Sequence, residues 1–473
     1  MPPPISPLKI NLMKISLTKE DVLDPNCLTP EAEVRLEKPN TAARLLRWVT
    51  KSGLAVMDQG LISGSNFLVG ILLARWLAPE AYGAYALAFS ILLLLLLFYQ
   101  SLMLEPMTVF GAGVYRNSLR SYFRRLLSMH GVLAGAIFAV LGIGCIIARY
   151  IGPPGPFPGA LVGITFAAPC ILLFWLARRV FYSGLSLIPA ASSAGIYFVV
   201  LIAGTYVARR LELLSVASAF IMMGLSALLT SAVLLGHLRK ALVRGEAVPG
   251  SGELWRRHWG YGRWALAGVI AGWVPTYIFY PMLSSFSGMA SAGELKALTN
   301  LALPLFQTYA ALSMLYIPHI ARMREEGTPE AILAFTGKIT MMFVAGAMMY
   351  WALLLSFSST AFHLLYGGKY MEVGYLVPLV ALESILWAAT CGPAIALRGI
   401  ESPASVFWAR SAASFVSIAV GIVVTRFYGI LGALWAMAAS SGAALFFVVV
   451  LLRRILAGDI GPTRAISDCA PVQ

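Results

Sequence analysis

Apolar residues gather in twelve runs of about 20, separated by polar stretches: 53–74, 83–104, 126–148, 159–177, 185–207, 213–236, 264–286, 298–320, 339–357, 375–397, 403–425 and 430–452. A helix needs about 20 residues to cross the roughly 30 Å hydrocarbon core of a bilayer. Backbone in lipid must satisfy its own hydrogen bonds, which leaves helices or closed barrels. Barrel strands would be about half this length and would alternate with period two. The pattern therefore predicts an all-α integral membrane protein of twelve transmembrane helices. The longest internal polar interval, 237–263, holds Pro249-Gly250-Ser251-Gly252, a flexible composition. It splits the chain into a first lobe over 44–236 and a second over 264–455, six runs each, with polar tails at 1–43 and 456–473.

Composition narrows the class without changing the picture. Hydrophobic residues make up 59% of the chain, charged residues 12%, and the mean hydropathy is +0.79. Soluble domains are about half apolar and a quarter charged. Five cysteines in 473 residues exclude a disulfide scaffold. No apolar run follows a basic start, so 1–43 is expected to be a cytoplasmic, partly disordered tail rather than a signal peptide. A short amphipathic piece near Ala42 to Thr50 would place Arg44, Arg47 and Lys51 beside lipid phosphates.

The net charge of +14 matters for where its cations fall. With the N-terminus inside, 27 of the 35 Lys and Arg lie on the cytoplasmic side and seven, including Arg75 and Lys296, on the other; Arg410 falls within a run. That bias predicts N-in and C-in. No basic stripe with interleaved aromatics suggests nucleic acid as a partner.

No enzyme signature is present: no Gly-rich phosphate loop, no metal-spaced Cys/His cluster, no HExxH and no close Asp pair. The chain reads as a non-enzyme with no metal and no cofactor beyond a coupling ion. The chemistry lies in polar positions within the apolar runs. Gln59, Ser63, Asn66 and Gly70 share one face of the first run, and Lys51, Asp58 and Ser65 form a neighbouring stripe. Asn300, Pro304 and Gln307 share a face in the eighth, Glu383, Trp387 and Thr390 in the tenth, and Arg410, Ser414, Ser417 and Gly421 in the eleventh. Small and hydroxyl residues on such faces serve helix packing. Ionisable residues cost roughly 2.5–3.5 kcal/mol at mid-bilayer, so Asp58, Glu383 and Arg410 are candidates for lining a cavity or for structural ion pairs. Glu105 lies at the end of the second run, within reach of the interface. Pro275 interrupts the seventh run, as a fixed bend or a hinge. Gly83 and Gly293 occupy matching places in the two halves, a weak internal repeat of the sort transporters use.

The stretch Asn66 to Ala86, reading NFLVGILLARWLAPEAYGAYA, resembles the first helix and loop of polysaccharide-transport flippases of the O-antigen type, within the multidrug/oligosaccharidyl-lipid/polysaccharide (MOP) flippase superfamily. Arg75, Leu77, Pro79, Glu80, Tyr82 and Gly83 carry the match. Ala177 to Phe181 and Tyr428 to Ala433 are similar but less specific. The resemblance implies two six-helix lobes in a V around a central cavity. It also implies movement of a polyprenyl-diphosphate-linked oligosaccharide across a bacterial cytoplasmic membrane for polysaccharide biosynthesis, alongside membrane lipids and other polysaccharide-synthesis proteins. Arg410 would then bind the diphosphate bidentately. Glu383 or Asp58 would titrate with a coupling H⁺ or Na⁺, and Gln59, Asn66, Asn300 and Gln307 would line the path.

Three alternatives stand beside this one. A multidrug or cation exporter on the same fold would favour an acidic, aromatic cavity without an intramembrane Arg. A membrane polymerase or glycosyltransferase would carry a large outer loop, and the outer loops here are short. A scaffold would recruit partners through the N-tail and 237–263. Topology is directly testable: reporter fusions at Pro156, Arg210 and Gly368 are expected to read outside and those at Gly252 and Ser467 inside. An outside reading at Gly252 would break the six-plus-six arrangement.

Overall fold

The structure, a computed structural model, describes residues 41–152, 154–182, 188–241, 248–326 and 328–458. Residues 1–40 of the expected 1–43 tail and most of the C-terminal tail lie outside these residues. Residues 1–50 form a unit separate from 51–473, and only Thr41–Thr50 of it is described, as helix.

The described chain is helical almost throughout. In order come α1 (Thr41–Trp76), α2 (Pro79–Tyr99), a π-helical turn (Gln100–Leu104), α3 (Glu105–Ala112), α4 (Leu119–Tyr150), α5 (Phe157–Tyr182), α6 (Ile188–Arg210) and α7 (Val216–Ala241). The second half runs α8 (Ser251–Tyr277), α9 (Phe279–Phe286), α10 (Met289–Asn300), α11 (Leu303–Glu326), α12 (Pro329–Ser356), α13 (Ser358–Tyr366), α14 (Val377–Gly399) and α15 (Pro403–Leu456).

Nine helical segments among the described residues are long and apolar enough to cross a membrane. Two more crossings are bent pairs: α8 with α9, turned by 44°, and α10 with α11, turned by 51°. The last of the nine, α15, has 54 residues, about 80 Å of helix and far more than one bilayer. It doubles back at Gly429, whose φ of 55° favours glycine. Beyond the turn, the Ser417 and Ser440 hydroxyls hydrogen-bond at 2.7 Å. A Cβ on Gly432 would sit 2.1 Å from the Val424 carbonyl oxygen. Counting α15 as two crossings gives the twelve expected.

The two halves repeat a packing scheme. In the first, α5 lies along α4 and α7; in the second, α14 lies along α12 and α15. Small residues permit this: Cβ atoms on Gly163 and Gly224 would press on Ala217 and Ala167 across the α5–α7 contact.

The halves meet at α2 and α10, where the paired glycines touch. A Cβ on Gly83 would lie 1.7 Å from the Met289 carbonyl oxygen, and one on Gly293 would lie 2.8 Å from the Pro79 carbonyl oxygen. Beside them the Asn300 amide donates to the Tyr82 hydroxyl at 2.8 Å. Elsewhere α8 reaches the π-helical turn: a Cβ on Gly262 would meet the Ser101 carbonyl oxygen at 2.5 Å. The His258 Nδ1–H donates to the Leu102 carbonyl at 2.9 Å, and in the neutral ring Nε2 accepts from Tyr122 at 2.9 Å.

Three expectations from sequence change. The described residues of 237–263 are largely helical, with α7 continuing to Ala241 and α8 starting at Ser251 after Pro249-Gly250; 242–247 lie outside them. The eighth crossing begins at Met289, nine residues before its apolar run, because Glu294 and Lys296 depress hydropathy over α10. Lys296 therefore lies within a crossing and not on a flanking loop. The break after α10 also separates Asn300 from Gln307, so the shared face with Pro304 does not exist: Asn300 is 1% exposed and Gln307 faces outward on α11.

Gly83→Ala is expected to lower the unfolding temperature by several degrees, since the methyl meets backbone that can shift only by parting α2 from α10. Gly268→Ala, where only Phe407 lies at 4.0 Å, is expected to be neutral, as read by thermal unfolding in detergent.

Candidate functional site

In the first half a pocket opens between α1, α2, α5, α6 and α7. Its walls are aromatic and aliphatic, chiefly Ile62, Phe89, Leu92, Phe174, Trp175 and Tyr197. Asn66 is its polar member, and the Asn66 Oδ1 is buried without a hydrogen-bond partner. An unmet buried acceptor costs about 1–3 kcal/mol, so it marks a place where a donor is wanted. The Lys296 ammonium reaches this region from α10 and lies 5.2 Å from the Phe89 ring centroid. No carboxylate pairs with it among the described residues.

The neighbouring stripe of α1 has a different fate. Asp58, 1% exposed, takes a bidentate ion pair from Arg178 on α5, with Nε–Oδ1 at 3.1 Å, and accepts a third bond from the Tyr182 hydroxyl. The Arg178 guanidinium also lies 5.0 Å from the Trp175 ring centroid. The Asp58 and Arg178 charges match each other, so the geometry fits the structural ion-pair reading of Asp58, while the Lys51 side chain lies outside the described residues. Ser65 of the same stripe is buried and bonds to the Ile62 carbonyl. Gln59 is exposed, its amide 3.3 Å from the Ser63 hydroxyl, and Gly70 gives room to the Asn300 amide.

In the second half Glu383 on α14 is partly buried and accepts from the Ser441 hydroxyl at 3.1 Å, with no cation paired to it among the described residues. One turn along, Trp387 packs on Phe306 and Tyr309, with ring centroids 4.4 and 6.1 Å away. Arg410 on α15 is exposed and extends over Gly272 of α8, its Nη1 being 3.4 Å from where a Cβ would stand. Its electrostatic neighbours are Arg398 and Cys391, not a carboxylate.

The rest of the Arg410 face is packing. Ser414 donates to the Ala271 carbonyl at 2.8 Å, Ser417 bonds to Ser440, and Gly421 receives the Phe279 ring. The Ser414 bond has a clear cause. Pro275 has no N–H, so the Ala271 carbonyl four residues earlier loses its helical partner, and Ser414 supplies one. The 44° bend follows three residues later, between α8 and α9.

The motif residues Arg75, Pro79, Tyr82 and Gly83 cluster at the α1–α2 turn against the second half, while the Glu80 side chain is exposed. The sequence reading missed Lys296 and Arg178. Lys296 precedes Asn300 by four residues, a helical spacing that was available as a signal. Arg178 was legible only as a basic flank, because its partner Asp58 is 120 residues away.

No family model matches the chain, and no curated protein matches it significantly. Solved structures do. A multidrug resistance MATE family transporter of the MOP superfamily, in an inward-facing conformation, aligns with a TM-score of 0.68 at 13% identity, over 85% of this chain and 95% of its own. The lipid II flippase MurJ, in an inward closed conformation, gives 0.64 at 14% identity over 86% and 87%. The MATE multidrug transporter DinF-BH, in complex with a dye, gives 0.64 at 14% identity over 87% and 95%. At these identities the likeness is one of fold. The chain has the fold of MOP superfamily transporters, the superfamily that its first motif resembles.

The Asp58–Arg178 pair yields a prediction. Asp58→Asn is expected to destabilise the protein by about 3–5 kcal/mol by leaving a buried guanidinium unmatched. Asp58→Leu with Arg178→Met should recover most of that, and transport per folded molecule should persist. Thermal unfolding and a transport assay normalised to folded protein check both halves of the statement.

Proposed function

We propose that this chain is an N-in, C-in flippase that carries a polyprenyl-diphosphate-linked oligosaccharide across a bacterial cytoplasmic membrane for polysaccharide biosynthesis, by ion-coupled alternating access. The observation that carries the reading is a pair of uncompensated cations. Lys296 and Arg410 lie within crossing helices without a carboxylate partner among the described residues. A lone cation at the centre of a bilayer costs roughly 2.5–3.5 kcal/mol, and an anionic cargo offsets a cost of that kind. The chain spends no such charge at Asp58, where both signs are present and buried together. Arg410 offers the planar fork that matches phosphate oxygens, and Lys296 adds a point charge from the other side of the α2–α8 contact. That contact is close to both: Phe89 lies beneath Lys296, and the adjoining Ser90 carbonyl accepts from Trp273, next to the Gly272 that faces Arg410.

Glu383 is the coupling residue in this reading. It is a carboxylate with no cation partner among the described residues that accepts from the Ser441 hydroxyl between α14 and α15, where binding of H⁺ or Na⁺ changes the charge of the second half. It also supports the second reading, a multidrug or cation exporter, because Glu383 beside Trp387, Phe306 and Tyr309 has the acidic, aromatic character that a cationic cargo prefers.

The experiment is accumulation of lipid-linked oligosaccharide on the cytoplasmic leaflet in cells carrying variants. Arg410→Ala and Lys296→Ala are each expected to reduce flipping about tenfold, in line with loss of a charge-assisted contact. Arg410→Lys should retain part of the activity, and Glu383→Gln should abolish its dependence on an imposed ion gradient. Normal flipping in the Arg410→Ala, Lys296→Ala double variant, with loss of dye efflux in Glu383→Gln, would favour the exporter.

A further inference from the structure

The motif over Arg75 to Gly83 has no part in the cargo site above, yet it makes directed contacts between the halves. Arg75, in the last turn of α1, sends its Nη1 to the Leu364 carbonyl at 3.2 Å. Lys369, from the segment joining α13 to α14, sends its Nζ back to the Leu77 carbonyl at 2.8 Å. Each half thus gives a cation to a backbone carbonyl of the other, at the end where α1 turns into α2. We propose that Arg75 and Lys369 form a reciprocal latch that holds this end of the molecule shut and must release for it to open.

The segment bearing Lys369 is shaped for that contact. Gly367, Gly368 and Tyr370 have φ of 66°, 83° and 64°, three left-handed residues within four. Tyrosine adopts this region rarely, and then where surroundings hold it. The Gly367 position faces Arg75, whose Nε is 3.5 Å from where a Cβ would stand. The Tyr370 ring then turns onto Tyr82, 6.1 Å between centroids, and onto Tyr366 at 5.8 Å. The segment therefore lies across the α1–α2 turn as a strap.

The choice of acceptor favours reversibility. Neither cation is matched to a carboxylate among the described residues, so release separates no ion pair of theirs and leaves both charges free to hydrate, Arg75 being exposed already. The glycine contact of α2 with α10 supplies undirected packing, and the latch adds direction at its rim. The inference rests on alternating access but not on the nature of the cargo.

The test uses the full chain in detergent, with the five native cysteines replaced by serine. Ala292→Cys, fully buried beside Gly293, reports opening of this end through its labelling rate with a water-soluble maleimide. Ala227→Cys, fully buried in α7, reports general loosening. Arg75→Ala and Lys369→Ala are each expected to speed labelling of Ala292→Cys, and the double variant about tenfold, with Ala227→Cys unchanged. Arg75→Gln, which keeps an amide donor on a shorter stem, should be intermediate and serves if the double variant fails to fold. An unchanged rate at Ala292→Cys, or an equal rise at both reporters, overturns the latch. No cargo is present in the measurement, so its failure is distinct from failure of the flippase reading.

Discussion

Two helices from opposite halves of this protein come so close that their backbones touch, and the rest of the architecture is arranged around that approach. At Gly83 and Gly293 there is no space for a single methyl group. Water drives no helix association inside a bilayer, since lipid tails are as apolar as leucine; close packing and hydrogen bonds must do it. The α2–α10 contact has both, with backbone against backbone at the glycines and the Asn300 to Tyr82 hydrogen bond beside them. The same device recurs within the halves, at Gly163 and Gly224 in the first and at Gly432 in the second.

The distribution of charge follows a second rule. Where the fold needs a carboxylate and a guanidinium for its own cohesion, it places them together, as at Asp58, Arg178 and Tyr182. Where a charge has no opposite charge among the described residues, as at Lys296, Glu383 and Arg410, packing gives no reason for it. That contrast separates the residues read as structural from those assigned to cargo and coupling in the proposed flippase.

Much of this was legible in the chain because period and length are local properties. The twelve apolar crossings, the matching places of Gly83 and Gly293 and the break at Pro275 are all visible as patterns. What depended on distant partners was not. Asp58 looked like a cavity residue because Arg178 lies 120 positions away. The Ser414, Ser417 and Gly421 face reads as helix packing from spacing alone, but its partners, the Ala271 carbonyl and the Ser440 hydroxyl, do not show there. Hydropathy sets the start of the eighth crossing too late, because Glu294 and Lys296 on its first helix lower the apolar average there. Asn300 and Gln307 were put on one face because a bend of 51° between them leaves no trace in spacing.

The bond from Ser414 to the Ala271 carbonyl ties two of these features into one mechanical element. A proline bend in lipid frees a carbonyl that a neighbouring helix, a Ser or Thr side chain or a water must satisfy. Here the neighbour is another helix, and it carries Arg410 one turn earlier. Straightening α8 on α9 would draw that carbonyl away from α15, and shifting α15 toward an anion would pull on the bend. Ser414 thereby ties the position of Arg410 on α15 to the angle of the Pro275 bend in α8.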